Sequence, residues 1–185
     1  MADVVLRPDR FALVDFDPAR IKAITEEVAD AAGLPPDQEV VVEVDDSSPL
    51  GRSSIDGMDP IHISLESGAL EDPKRPRQLA EDGAAGAIGR LLFRAADRLR
   101  EDFADAPADE DLPPSVGVAW EVYAAGRLAR TGRQAQRQRW RYHFRNRHGF
   151  SDEADVAFDE LWAADDLTWA QVEALSARAL AATPA

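Results

Sequence analysis

The sequence lacks cysteine altogether and contains only three histidines, two methionines and two lysines. Without cysteine there are no disulfide bonds, no thiolate metal sites and no cysteine nucleophile. No apolar run approaches the roughly 20 residues that a membrane-spanning helix needs. Residues 1–15 also lack the apolar segment of a secretory signal. We therefore expect a cytoplasmic protein.

Positive charge is also scarce. The 185 residues carry 35 Asp and Glu against 21 Lys and Arg, which gives a formal net charge of −14. A field of this sign repels phosphate, so the composition argues against a general binder of nucleic acids or anionic membranes. Apolar residues make up 45% of the chain, which is enough for a sizeable core at this length. We expect a folded acidic protein and not a disordered one.

The first half of the chain predicts a helix, a small sheet of two or three strands and a long helix, in that order. Asp17 and Pro18 are residue types of a helix N-cap and first turn, and Gly33 ends the apolar helical pattern. Alternating apolar residues predict the strands, and a helical apolar stripe predicts the long helix. These elements cover residues 39–45, 61–66 and 79–101, with a long polar loop over 45–59 between the strands.

The next part of the chain predicts helices. Ser115 is expected to cap a helix of about 115–131. A further helix is predicted over 133–148, but RWRYHFR at 139–145 also alternates like a strand, and both interpretations stay open.

The last two helices have clear start signals. Ser151 begins one, and Thr168 with Gln171 forms the capping box of the other. The fold class is therefore α+β. We expect an α+β domain over 1–131 and a helical extension over 132–185, which packs on that domain or forms one single domain with it.

The long helix carries three interior glycines, Gly83, Gly86 and Gly89. Each costs about 1 kcal/mol relative to alanine. Two interpretations are open: a smooth face that another backbone approaches closely, or a face that approaches a ligand. Elsewhere on this helix, Leu99 is expected in the apolar stripe and Asp97 on the opposite, polar side.

The order strand, loop, strand and a helix with LAEDGAAGAIGRLL resembles the minimal zincin metallopeptidases. Those proteins have a helix, a small sheet whose edge strand holds substrate, and a helix with His-Glu-x-x-His-x-x-Gly. On this motif Asp82 stands at the first His and Gly83 at the Glu. Gly86 stands at the second His, and Gly89 matches the final Gly. The resemblance covers about residues 15–130.

The resemblance implies a zincin-like fold in which strand 61–66 is the substrate-binding edge, with a groove above it. It also implies a role for Glu121, because zincins of the Glu-ligand type take their third zinc ligand from a Glu on a following helix. An ion pair with Arg90, Arg94 or Arg127 is the alternative interpretation of Glu121, since buried acids are usually paired.

The residues that carry zincin chemistry are missing. Catalytic zinc in zincins needs two imidazoles one turn apart and a glutamate that takes a proton from metal-bound water. The chain has an aspartate and two glycines at these positions, so a fold of this type would lack peptidase chemistry, and we expect no cofactor. His143 and His148 are five residues apart and off a common helical face. His62 lies on the more polar face of its strand.

Residues 122–151 contain eight arginines and no acid. In one interpretation this element docks on the protein's own acidic segments, such as 101–111 or 152–166, while its aromatic residues enter the core. In the other it forms a surface for phosphates and bases. The acidic flanks favour the first. A nucleic acid that extends more than a Debye length of roughly 10 Å away from the arginines would meet the negative charge of these flanks. The candidate basic patch comprises Arg137, Arg139, Arg141 and Arg145.

Three functions are compatible with the sequence. We favour a non-catalytic, degenerate zincin-like protein with a binding or structural role and an unknown protein or peptide partner, without a nucleic acid or a membrane. The second is an arginine and aromatic module over 127–147 that binds an acidic partner or nucleic acid. The third is a hydrolase with a carboxylate site at Asp82 and Glu121. The candidate binding residues of the first are Asp82, Gly83, Gly86, Glu121 and His62.

Overall fold

The computed structural model describes residues 2–181, which form two compact units divided between Ala96 and Asp97. The first contains a four-stranded mixed sheet, a two-stranded sheet and helices, and the second is helical. The predicted α+β class is confirmed, but the main sheet has four strands and not the expected two or three. The predicted domain boundary at 131/132 falls inside the second unit. Within the described residues no helix is long and apolar enough to cross a membrane.

The first unit begins with a strand, a helix and a parallel strand: β1 (Asp3–Arg7), α1 (Pro18–Ala31) and β2 (Glu39–Asp45). The Asp17 carboxylate accepts the backbone N–H of Ala19 at 2.9 Å, which confirms the predicted start of α1. Gly33 has a φ of 75°, a conformation that lets the chain turn away after the helix. Because a helix connects β1 and β2, the two strands can lie parallel.

The sheet is completed by β3 (Ser53–Met58) and β4 (Ile61–Glu66), in the order β1-β2-β4-β3. β4 is parallel to β2, and β3 is antiparallel to β4. Two predictions are therefore wrong. The expected loop over 45–59 contains β3, and strand 61–66 is interior, not an edge. The physical reason is the short turn between β3 and β4, which places β3 outside β4 as the antiparallel edge strand.

One set of strand side chains forms the core of the first unit. In the register of β2 and β4, Val40 lies beside Ile61, Val42 beside Ile63 and Val44 beside Leu65. All six are buried, with at most 3% of their surface exposed. α1 packs against β1 and contributes its own buried stripe. The alternate positions of β2 and β4 are mostly polar, although Val41 is apolar and buried. The residues of the α1 stripe are Ile21, Ile24, Thr25, Val28 and Ala29.

A short hairpin leads to the long helix: β5 (Glu71–Asp72), β6 (Arg75–Leu79) and α2 (Glu81–Arg98). The predicted helix is confirmed with narrower bounds. Leu99 lies beyond its end and is 46% exposed, whereas Asp97 is 1% exposed. Both findings contradict the predicted faces. Leu99 follows the last helical residue, and the helical pattern takes no account of the buried hydrogen bonds that Asp97 makes.

The second unit contains four helices within the described residues: α3 (Pro114–Arg130), α4 (Arg137–His148), α5 (Asp152–Ala163) and α6 (Trp169–Ala181). The strand interpretation of 139–145 is wrong, since these residues lie in α4. Ser115 does not cap α3, which begins one residue earlier. Thr168 and Gln171 exchange two hydrogen bonds of 2.8 and 3.3 Å, which confirms the capping box before α6.

Aromatic residues form the core of the second unit. The Trp120 ring lies 5.4 Å from Phe103 and 5.2 Å from Trp169, centroid to centroid. α3 and α5 come very close at Gly126, where an added Cβ would lie 2.2 Å from the Trp162 carbonyl oxygen. The position therefore requires a residue without a side chain.

Candidate functional site

The start of α2 carries the residues that the zincin motif would use. Asp82 and Gly83 are exposed in its first turn, and Gly86 is half-buried one turn later. The Arg90 side chain extends back along the helix and donates from Nη1 to the Gly86 carbonyl oxygen at 2.7 Å. A guanidinium therefore lies beside Gly86, the position that the resemblance sets at the second imidazole.

The conformations of Gly83 and Gly86 do not themselves require glycine. Neither is among the glycines with a positive φ. A Cβ at Gly86 would have the Arg90 guanidinium at 3.9 Å as its nearest neighbour, and one at Gly83 would lie 3.2 Å from the Ala80 Cβ. Within the described residues, no backbone lies in close contact with these two positions. The close-packing interpretation of the glycine face is wrong for Gly83 and Gly86.

Polar side chains gather on one face of the four-stranded sheet. His62 of β4 lies 3.0 Å from a carboxylate oxygen of Glu43 on β2, Nε2 to Oε2. Ser64 and Ser54 both donate to the Asp56 carboxylate of β3, the latter at 2.7 Å. His62 is on the polar face, as predicted, but Glu43 as its partner and Asp56 as the partner of Ser64 were not predictable. Their position depends on a strand register between distant segments.

The proposed carboxylate pair is divided between the two units. Asp82 belongs to the first unit, and Glu121 is a half-buried residue of α3 in the second. Arg127, one of the three arginines predicted as partners of Glu121, forms a bidentate ion pair with Asp97. From residue 2 to residue 181, no group of three or more histidines and acids is placed to hold a metal ion.

Three arginines of the predicted basic patch form ion pairs within the protein. Arg137 and Arg141 both donate to Asp159 of α5. Arg145 donates from Nε to Asp155 at 2.7 Å, and this hydrogen bond lowers the pKa of the Asp155 carboxyl. The ion pairs agree with docking on the acidic segment 152–166.

The fourth arginine of the patch, Arg139, points outward and is exposed. No ion pair joins it to any acid of the described chain. The exposed positions Tyr142, His143, Arg147 and Phe150 also lie on or beside α4. The 3.6-residue period of a helix could have shown from the sequence that these outward residues lie on a different face from the three paired arginines.

The other side of α4 is buried and holds a histidine. The His148 ring stacks on Phe144 with centroids 3.8 Å apart. Its Nδ1 donates to the Phe144 carbonyl oxygen at 3.0 Å, and its Nε2 therefore accepts from the Ser176 hydroxyl at 2.9 Å. Burial lowers the pKa of His148. Both members of this Ser–His pair are at most 1% exposed, so substrate cannot reach them.

An open depression of about 390 Å³ lies between β1 and α1 in the first unit, lined mainly by Val4, Val5, Leu6 and Pro18. None of the candidate site residues borders it. Comparison with protein-family models, with curated proteins and with solved structures finds no match for the chain.

Proposed function

We propose that the chain is a non-catalytic, zincin-like binding protein whose first unit holds an extended peptide of a protein partner. The observation that carries the proposal is the start of α2, where Asp82, Gly83 and Gly86 replace the three chemical residues of the motif. The succession of α1, a small mixed sheet and α2 supports the zincin-like part of the proposal.

The local chemistry at α2 favours binding over hydrolysis. A glycine can neither coordinate a metal through a side chain nor accept a proton. Asp82 supplies at most one carboxylate. The Arg90 guanidinium, 2.7 Å from the Gly86 carbonyl oxygen, adds positive charge where a zinc ion would need a ligand.

The edge strand β3 is the proposed place for the peptide. It is the antiparallel edge of the sheet and directly precedes β4 in the chain. An edge strand offers backbone N–H and C=O groups to which an extended peptide can add as a further strand. Gly83 is exposed and Gly86 is half-buried in the first two turns of α2, and no backbone from elsewhere in the described residues lies within 4 Å of a Cβ built at either position.

Metal content tests the non-catalytic part. We expect protein prepared without chelator to carry no stoichiometric zinc and to cleave no peptide. The variant with Asp82→His, Gly83→Glu and Gly86→His should gain zinc. One tightly held zinc per wild-type chain would contradict the proposal.

Hydrogen exchange tests the binding strand. With a peptide selected from a random library on the full chain, backbone amides of β3 should exchange more slowly than in the free protein. The other edge strand, β1, is the matched control and should not change. Equal protection of both edges, or protection of β1 alone, would show that β3 is not the binding strand.

A further inference from the structure

α4 presents an outward surface that the proposed function of the first unit does not use. We define the α4 surface by five exposed residues. They are Arg139, Tyr142, His143, Arg147 and Phe150. On a helical projection, the α4 members lie away from the buried Phe144 and His148 and away from the arginines that face α5.

Two large aromatic side chains form the apolar part of the α4 surface. Tyr142 is 59% exposed and Phe150 is 67% exposed. Their rings contact edge to face, with centroids 6.2 Å apart and an interplanar angle of 67°. The Arg145 guanidinium lies 5.8 Å from the centre of the Phe150 ring and is itself fixed by Asp155. The aromatic pair is therefore supported from within the unit and remains open to solvent.

Unpaired positive charge borders the aromatic pair. Arg137, Arg141 and Arg145 already have aspartate partners on α5. Arg139 and Arg147 have no ion pair with any acid in the part of the chain that the structure describes, and residues 122–151 contain no acid at all. This surface can therefore offer two guanidinium groups to an incoming acidic side chain.

We propose that the α4 surface docks an acidic segment of a partner protein, with an aromatic or aliphatic side chain placed against Tyr142 and Phe150. Tyrosine, phenylalanine and arginine are the residues enriched in protein interfaces. The number of unpaired arginines selects against a nucleic acid, the other polyanion. A nucleic acid needs several phosphates neutralised together, whereas this surface has two arginines without an ion pair in the described residues.

The test uses the full chain and a fluorescent synthetic peptide rich in glutamate and aspartate with a central phenylalanine. Its control replaces the acids by glutamine and asparagine, and labelled oligothymidylate is the second probe. We expect the acidic peptide alone to bind, more weakly as salt is raised. Failure of the acidic peptide to bind, or equally tight binding of oligothymidylate, would overturn the proposal.

Substitutions test whether the acidic peptide binds at the α4 surface. Arg139→Gln combined with Arg147→Gln should weaken binding about tenfold, since two exposed charge pairs are worth on the order of 1–2 kcal/mol together. Tyr142→Ala should weaken it as well. Arg178→Gln, an exposed arginine on α6, is the matched control and should bind like wild type. Unchanged affinity of the double variant would overturn the proposal. Because all these residues are exposed, urea unfolding of each variant should match wild type.

Discussion

Asp97 and Arg127 form a bidentate ion pair, with Nη1 to Oδ1 at 2.8 Å and Nη2 to Oδ2 at 2.6 Å. The indole N–H of Trp120 donates to the same carboxylate at 2.7 Å. The Asp97 side chain is 1% exposed and that of Arg127 is 11% exposed. The carboxylate thus joins the end of α2 to two positions of α3 within the second unit.

Loss of this carboxylate should destabilise the protein strongly. Asp97→Ala removes the acceptor of the hydrogen bonds from the Arg127 guanidinium and the Trp120 indole N–H, and removal of one partner from a buried pair costs about 3–5 kcal/mol. Urea unfolding followed by tryptophan fluorescence measures the effect. The control is Asp102→Ala, since Asp102 pairs with Arg100 at the surface and should cost about 0–1 kcal/mol. Similar losses in the two variants would contradict the assigned role of Asp97.

Two glycines of α3 should respond oppositely to alanine. Gly126→Ala places a Cβ 2.2 Å from the Trp162 carbonyl oxygen, so α3 and α5 must move apart, at a cost of about 1–3 kcal/mol. Gly117→Ala meets only the Leu112 Cβ at 4.0 Å and should stabilise the helix by up to about 1 kcal/mol. Thermal unfolding of both variants measures the difference, and a stable Gly126→Ala protein would exclude the close approach.

Gly86→Ala should stabilise the first unit. The position lies inside α2 with open space around an added methyl group, so alanine should add about 1 kcal/mol through helix propensity. Gly68→Ala is the contrasting change, because its Cβ would lie 2.1 Å from the Pro49 carbonyl oxygen. Chemical unfolding should show a gain for the first and a loss for the second. A loss at Gly86 would mean that packing does require glycine there.

The stability of the protein should fall as the pH drops below about 6.5, the ordinary pKa of histidine. Burial lowers the pKa of His148 in the folded state. The unfolded chain therefore binds a proton at a pH at which the folded chain does not. The contribution of the neutral His148 ring is fully present above pH 6.5 and is lost as the pH falls towards the lowered value.

Unfolding free energies at pH 7.5 and at pH 5, values chosen on either side of about 6.5, measure this dependence. His148→Gln should show a smaller loss between the two pH values than wild type. His143→Gln alters an exposed residue of the same helix and should keep the full loss. A wild-type protein equally stable at both pH values would contradict the prediction.

Two aromatic residues of α4, Tyr142 and Phe144, should differ in how much they contribute to the stability of the protein. Phe144 is fully buried, and its replacement by alanine should cost about 3–5 kcal/mol. Tyr142 is 59% exposed, so Tyr142→Ala should stay within about 0.5 kcal/mol of wild type. Urea unfolding of both variants measures this, and comparable costs would mean that the two faces of α4 are not as described.

Local signals in the sequence were sufficient for much of the fold. The caps at Asp17 and Thr168 lie within a few residues of the groups they bind. The strict alternation in β4, and the valines at alternate positions 40, 42 and 44 of β2, also mark each strand by itself. β3 has no such signal: Ser53 to Met58 include Asp56 and Gly57, and a bulge interrupts the pairing with β4. Its identity as a strand depends on a partner that the local pattern does not indicate.

The candidate site was predictable only in part, for the same physical reason. The absence of two histidines one turn apart can be read directly from Asp82 and Gly86, and the ion pairs of α4 follow from opposite charge blocks next to each other. The contact between His62 and Glu43 joins residues 19 apart. The pair of Asp97 and Arg127 joins residues 30 apart. Such contacts depend on tertiary packing, which overrides helical and strand periodicity.

The turn between α5 and α6 is bound to α3 through its backbone. The Tyr123 hydroxyl donates to the Asp165 carbonyl oxygen and accepts the Leu167 N–H, at 2.8 and 3.0 Å. Arg130 donates to the Trp162 carbonyl oxygen at 2.6 Å. A turn held in this way cannot open alone, since its opening breaks bonds made by the middle and the end of α3. The three helices therefore behave as one cooperative element in native-state fluctuations, although the turn itself lies at the surface.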